Sequence, residues 1–168
     1  EKSLRTSTNS FLGLLEFPLE CRDPMIAGYL CVRINDVIED DLDLSRNEDG
    51  LTKKRELMAL FIRALKDGNE EKVAQFATKL RNLRLRDKKF DRLVKNVESV
   101  FGAYRGFQPR VKEIIFERIK EQSEGLASKN IQNIVTPEDY HEYCNYSVGI
   151  IGYMIGELFH STGHLSSI

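Results

Sequence analysis

The chain of 168 residues contains no tryptophan, only four prolines and only three cysteines. It also lacks a surplus of either charge, with 25 Lys and Arg against 26 Asp and Glu and a net charge of −1. Each scarcity excludes something. A balanced charge removes the electrostatic case for nucleic acid as a partner. Cys21, Cys31 and Cys144 have no metal-like spacing and read as buried, reduced thiols in a cytoplasm-like compartment. The nearest approach to a membrane span, Val148 to Phe159, is short and contains Glu157. No signal peptide is visible, and an opening on Glu1 rather than Met leads us to expect a trimmed N-terminus. Alternation of period two does not persist anywhere, so strands and hairpins are not expected. Neither a Gly-rich phosphate loop nor a serine-hydrolase elbow occurs.

What remains is helical. The composition, 41% hydrophobic and 30% charged, suits a globular domain large enough to hold a sizeable core. A short helix is expected over Ser10 to Phe17, stopped by Pro18. Asp23-Pro24 reads as an N-cap followed by a first-turn proline, opening a helix to about Asp41. Further amphipathic helices are expected over Leu51 to Leu65, closed near Gly68, and over Glu70 to Leu83. One runs from Phe90 to Phe101, and another opens at Pro109. Thr136-Pro137-Glu138-Asp139 caps a last helix running from Pro137 to about Ser161. The expectation is an all-α fold: one domain over residues 1–168, with packed helices around a central cavity. The basic residues between Lys79 and Lys95 read as an exposed surface, suited to peripheral contact with an anionic membrane.

The chemistry concentrates between Tyr29 and Asp41. On a helix, Tyr29, Arg33, Asp36 and Asp40 share one stripe, with Glu39 beside it. An acidic run at a helix end is usually a solvated face, and Asp41, Asp43, Glu48 and Asp49 read that way. Asp36 and Asp40 differ, because the segment from Met25 to Val32 and the pair Val37-Ile38 are apolar. Charges on such a helix require a metal, a partner or a water-filled cavity. Clustered carboxylate oxygens suit Mg²⁺, which keeps waters and bridges to substrate phosphates. Arg33 could meet a phosphate oxygen bidentately.

A second signal lies on the last helix. Gly149, Gly152 and Gly156 fall on one side, one to two turns after Tyr143 and Tyr146. Glycine costs about 1 kcal/mol inside a helix. Three on one side imply either tight helix packing or a wall facing a ligand. His160 and His164 are spaced like metal ligands, but Gly163 between them favours exposed polar residues.

Together these segments resemble the squalene and phytoene synthases, the head-to-head prenyl transferases. Tyr29-Leu-Cys-Val-Arg33-Ile-Asn-Asp36-Val-Ile-Glu39-Asp40-Asp41 is similar to the family's first aspartate-rich motif. Tyr143-Cys-Asn-Tyr-Ser-Val-Gly149-Ile-Ile-Gly152 is similar to its Tyr-Cys-x-x-x-x-Gly-x-x-Gly helix. Phe107-Gln108-Pro109 and Thr136-Pro137-Glu138-Asp139-Tyr140 resemble the segments between. The Glu39-Asp40 pair is closer to the squalene synthases. The resemblance implies a helical isoprenoid-synthase fold and Mg²⁺-dependent joining of two prenyl diphosphates, farnesyl diphosphate above all, with NADPH as reductant where the product is squalene. It implies that Asp36, Glu39 and Asp40 hold Mg²⁺. Arg33 would contact the diphosphate or the NADPH phosphate, and Tyr143 would stand near the reacting carbons. Phe11 and Tyr29 would line the site. Val148 and Gly152, on the small-residue face, would leave room for the prenyl tail. A cytoplasmic location, peripheral to a membrane, goes with this reading.

Two departures qualify the match. The family's basic residue before its Ser-Phe pair is replaced by Asn9, in Thr8-Asn9-Ser10-Phe11. The family's second aspartate-rich motif has no counterpart after Asp41, and Asp87 with Asp91 is a poor substitute in a basic, polar stretch. The fold is therefore expected to be incomplete. Three readings follow: a portion of a synthase, one subunit that needs a companion chain for the second motif, or a non-catalytic relative acting as assembly factor or prenyl-diphosphate-binding scaffold.

Overall fold

The computed structural model describes residues 13, 16–41, 44, 47–83, 88–128 and 134–163. Among these residues there are eight α-helices and no strand. They are α1 (Leu19–Glu39), α2 (Glu48–Asp67), α3 (Glu70–Arg81), α4 (Asp91–Lys95), α5 (Val97–Arg105), α6 (Pro109–Ser128), α7 (Pro137–Cys144) and α8 (Ile150–Ser161). A 3₁₀ turn, Lys88–Phe90, precedes α4, and a π-helical turn, Asn145–Gly149, joins α7 to α8. The expected helix over Ser10 to Phe17 lies largely outside the described residues.

Local chemistry explains most of the boundaries. Asn47 caps α2 by accepting the Gly50 N–H at 2.8 Å, and Gly68 closes it with φ 60°, a left-handed value that favours glycine. Asn69 caps α3 through the N–H groups of Glu71 and Lys72. Thr136 and Asp139 form the expected capping box: the Thr136 hydroxyl accepts the Asp139 N–H, and the Asp139 carboxylate accepts the Thr136 N–H.

Three boundaries depart from expectation. The first long helix starts at Leu19, not at Asp23-Pro24, and Pro24 lies buried inside it. Pro18, with ψ 143°, takes the extended conformation of a residue before a helix, and its carbonyl accepts from the N–H groups of Cys21 and Arg22. The expected helix through Phe90 and Phe101 is split at Asn96, whose side-chain amide donates to the Arg92 carbonyl at 2.7 Å. That amide competes with the backbone for the acceptor and ends the turn. The last helix carries a π turn where a Cβ on Gly149 would meet Asn145 Oδ1 at 2.7 Å.

The centre of the structure is a pair of helices, α1 and α6. Helix α6 packs against α1, α2 and α8, and α1 also packs against α5 and α8. The apolar stripes of α2, α3 and α5 meet in a cluster of Phe61, Phe76 and Phe101, with ring centroids 5.0 to 5.9 Å apart. Two glycines permit close approach. Gly28 on α1 lies under Met154 of α8, and Gly125 on α6 lies under the ring of Tyr146. The second contact seats the π turn, and with it the end of α7, on α6. Helix α1 is thereby presented to a helix from the far end of the chain.

Candidate functional site

Helix α1 sets out its polar residues as the spacing predicted. Arg33 Nη1 donates to Asp36 Oδ2 at 2.5 Å, and the guanidinium lies 4.7 Å from the Phe90 ring centroid. Arg33 Nε is buried and has no hydrogen-bond partner. Burial pushes the Asp36 carboxyl up to about 7; Arg33 opposes this, while Glu39 and Asp40 add to it. Tyr29 is half-buried against the core. Asp40 is exposed at the C-terminal end of the helix.

Tyr143, on α7, joins this group. Its phenol lies close enough to the Glu39 carboxylate for each to shift the other. Burial first, and then the Glu39 charge, hold the Tyr143 hydroxyl well above its ordinary range, and Asp40 and Asp36 act in the same direction. Burial likewise raises Glu39, against the pull of Lys54 and of the Tyr143 phenol. The two motifs that carried the sequence reading therefore meet, with Tyr143 at the carboxylates.

Not every expected residue is brought in. Val148 is 66% exposed, and Gly152 is exposed with nothing within 4 Å of a Cβ built on it. A Cβ on Gly156 would likewise meet nothing. Of the three glycines only Gly149 has a close neighbour, Asn145 on its own helix. The glycine side is thus an open wall among the described residues rather than a helix-packing seam. Phe11, Asn9, Asp87 and His164 lie outside the described residues, and His160 is exposed. Cys21 and Cys31 are buried and Cys144 is half-buried, all three free. Asp41, expected on a solvated face, is instead 2% exposed and accepts the Leu44 N–H at 3.1 Å. It turns inward to hold the chain leaving α1.

Two polar features escaped sequence reasoning. Lys54 on α2 is only 3% exposed, and its charge acts on Glu39 and Asp40. Burial lowers its pKa, with Glu39 opposing. The signal was present: Lys54 sits three residues before Leu57, on the stripe that α2 buries. The second feature is a fully buried group between α1 and α6. Asn35 Nδ2 donates to Gln122 Oε1 at 2.9 Å, and Ser123 Oγ donates to Asn35 Oδ1 at 2.9 Å. Gln122 Nε2 remains buried without a partner.

The donor set suits Mg²⁺ only in company. Among the described residues no three His, Cys, Asp or Glu side chains are grouped so as to hold a metal ion. Asp36 is turned to Arg33 and Glu39 to Tyr143. A bare cation therefore finds no ready cage. Mg²⁺, however, is typically bound by one or two carboxylates completed by waters and substrate phosphates. The carboxylates fit the ion when a diphosphate accompanies it, and the free Arg33 Nε suits a phosphate oxygen.

Comparison with known proteins gives a consistent picture. Residues 4–166 match the family model of squalene/phytoene synthase. Squalene synthase BSS of Botryococcus braunii is 27% identical over 151 residues, covering 88% of this chain and 29% of its own length. Squalene synthase 1 of Arabidopsis thaliana is 24% identical over 159 residues, covering 95% and 35%. The structure of TcSQS with the ligand E5700 superposes with a TM-score of 0.78 at 23% identity, covering 96% of this chain and 43% of that one. At that identity the likeness shows the fold, a helical one. The chain spans about a third of the length of these curated relatives.

Proposed function

We infer, from the premise that this chain belongs to the squalene/phytoene synthase family, that its α1–α7 site binds the diphosphate of a prenyl substrate together with Mg²⁺. The observation that carries this reading is the meeting of Tyr143 with Glu39 beside Asp36 and Asp40. Farnesyl diphosphate is the substrate that the squalene synthase relatives suggest, and head-to-head condensation is the reaction.

The residues divide the work. Asp36, Glu39 and Asp40 offer oxygen ligands, and Mg²⁺ bound there would stabilise the negative charge of the departing diphosphate. Arg33 is engaged by Asp36 at Nη1 and by Phe90 across its face, which leaves Nε for one phosphate oxygen. We assign it to the diphosphate rather than to NADPH. Reduction by NADPH belongs to the reading only if the product is squalene. The Tyr143 phenol stays protonated over the working pH range and holds Glu39 in place. The open face of Val148 and Gly152 is free to take the prenyl tail or the helices that complete the wall. Because the chain spans about a third of its relatives, condensation requires the remaining length or a companion chain.

A second reading, a prenyl-diphosphate-binding scaffold without turnover, is favoured by one observation. The carboxylates already have protein partners in Arg33, Tyr143 and Lys54. The two readings separate in one experiment. Farnesyl diphosphate is incubated with Mg²⁺ and this chain, alone and with the rest of the native protein. The synthase reading expects Mg²⁺-dependent consumption in the second mixture that falls at least about 100-fold in the Asp36→Ala/Asp40→Ala variant. Binding without consumption in both mixtures selects the scaffold. No binding in either removes both. We propose a cytoplasmic location with peripheral contact to a membrane; no described helix is long and apolar enough to cross one.

A further inference from the structure

The buried residues of α1 and α6 are apolar apart from Asn35, Gln122 and Ser123. These three meet at one level of the seam between the helices. Asn35 Nδ2 donates to Gln122 Oε1, and Ser123 Oγ donates to Asn35 Oδ1, both at 2.9 Å. Lower in the seam, a Cβ on Gly28 would lie 3.6 Å from Cγ1 of Ile115. The steps from Gly28 to Asn35 and from Ile115 to Gln122 are both seven residues. The two helices therefore run parallel and in step, since equal rises keep the same neighbours.

An apolar seam tolerates a slip of one turn, because residues three or four apart share one ridge. Such a slip would set Asn35 against Ile119 or Leu126, both fully buried and apolar. The Asn35 amide and the Ser123 hydroxyl would then be buried without partners, which is costly. The contact is not optimised for stability, since Gln122 Nε2 has no partner even in the observed register. Setting register is the best-attested use of a lone buried polar contact between helices. The level it sets bears on the site. Asn35 adjoins Asp36, which pairs with Arg33 at 2.5 Å. Gln122 lies one turn before Gly125, on which the Tyr146 ring sits, and α6 packs along the π turn next to Tyr143. One turn of slip would carry the acids of α1 about 5.4 Å past that turn.

We propose that Asn35, Gln122 and Ser123 are positioning residues, a latch that fixes the register of α1 on α6 and so holds the acid end of α1 level with the π turn and Tyr143. An all-apolar seam would pack as well and leave that level unset. The consequence for ligand binding rests on the diphosphate reading of the site given above.

The test removes the latch with Asn35→Ala/Gln122→Met/Ser123→Ala, an apolar trio of about the same total volume. Spin labels on Asp23→Cys in α1 and Glu124→Cys in α6, both exposed positions, report the register as a distance by pulsed electron resonance. A Cys144→Ser background leaves only the buried thiols of Cys21 and Cys31 besides. With the latch, one narrow distance is expected. Without it the distribution is expected to broaden or split by up to about 5 Å. The unlabelled triple variant is expected to melt at or above the native temperature. It should bind a non-reacting thio analogue of farnesyl diphosphate, with Mg²⁺, at least about tenfold more weakly. A purely structural contact would do the reverse, lowering the melting temperature while distance and affinity stay native. An unchanged distance distribution in the triple variant overturns the proposal, and so does a native affinity. Where circular dichroism shows that the triple variant does not fold, Gln122→Met alone is labelled in the same way, and the same outcomes decide. The two inferences fail separately. A native chain that binds no analogue sinks the diphosphate reading, while a distance that splits on loss of the latch still upholds the register role. Binding by the native chain with an unchanged distance in the variant sinks the latch alone.

Discussion

Asp36→Asn is expected to melt several degrees above the native chain at pH 8 without ligand, and to lose diphosphate binding by at least about tenfold. Burial raises the Asp36 carboxyl from 3.8 to about 7 despite Arg33. A carboxyl raised on folding stabilises the fold fully below its unfolded value near pH 4. That stabilisation is lost as pH rises through about 7. At pH 8 the folded chain holds an ionised group that its surroundings disfavour. Each tenfold change in proton affinity corresponds to about 1.4 kcal/mol. Loss of the hydrogen bond from Arg33 takes back about 1 to 3 kcal/mol. The remainder, roughly 1 to 3 kcal/mol, shifts the melting temperature by about 3 to 9 °C in a chain of this size. Melting curves from pH 4 to 8 provide the check. The native chain should lose stability over that range relative to Asp36→Asn, and near pH 4, where the native carboxyl is uncharged, the variant should be the less stable by the lost Arg33 hydrogen bond. A variant that melts lower at pH 8 would mean that the Arg33 pair outweighs burial. Strain of this kind is expected where a site is built for a ligand rather than for stability.

Gly125→Ala should be a damaging single methyl. A Cβ there would lie 2.2 Å from Cγ of Tyr146 and 2.3 Å from Cδ1. These atoms are the root of the ring, so the whole side chain must move, and the π turn with it. Overpacking costs about 1 to 3 kcal/mol, and the gain of alanine over glycine in a helix, about 1 kcal/mol, offsets part of it. A drop of a few degrees in melting temperature is expected, with weaker diphosphate binding because Tyr143 is one turn away. Gly28→Ala is the contrast. Its Cβ would meet the Sδ and Cε atoms of Met154, a flexible end that can turn aside. Gly125→Ala combined with Tyr146→Ala should cost less than the sum of the two. A Gly125→Ala chain that melts at or above the native temperature would show that Tyr146 does not seat on α6.

Much of the fold was legible because helix termini are local. Gly68 and the Thr136–Asp139 box announce themselves within four residues. The failures are also local, but they turn on competition between two signals. Pro18 read as the stop of one helix and Asp23-Pro24 as the opening of the next, but the helix opens directly after Pro18 and runs through Pro24. Asn96 sat inside an apolar rhythm that hid its side-chain hydrogen bond. The site was legible in part. Arg33 and Asp36 pair on one helix, as spacing requires. Tyr143 reaches Glu39 only through the packing of α6, α8 and the π turn, which no single helix encodes. Lys54 and Asp41 were read past because patterning treats a charge as a mark of surface. Both are buried near the acid end of α1.

Calorimetric titration of the chain with the non-reacting farnesyl diphosphate analogue, in the presence and absence of Mg²⁺, probes the diphosphate site without any intermediate step. Saturable binding is expected, at least about tenfold tighter with the ion and lost in the Asp36→Ala/Asp40→Ala variant. Equal binding by the native chain and that variant, or no binding with Mg²⁺ present, would contradict the assignment of α1 and α7 to a prenyl diphosphate.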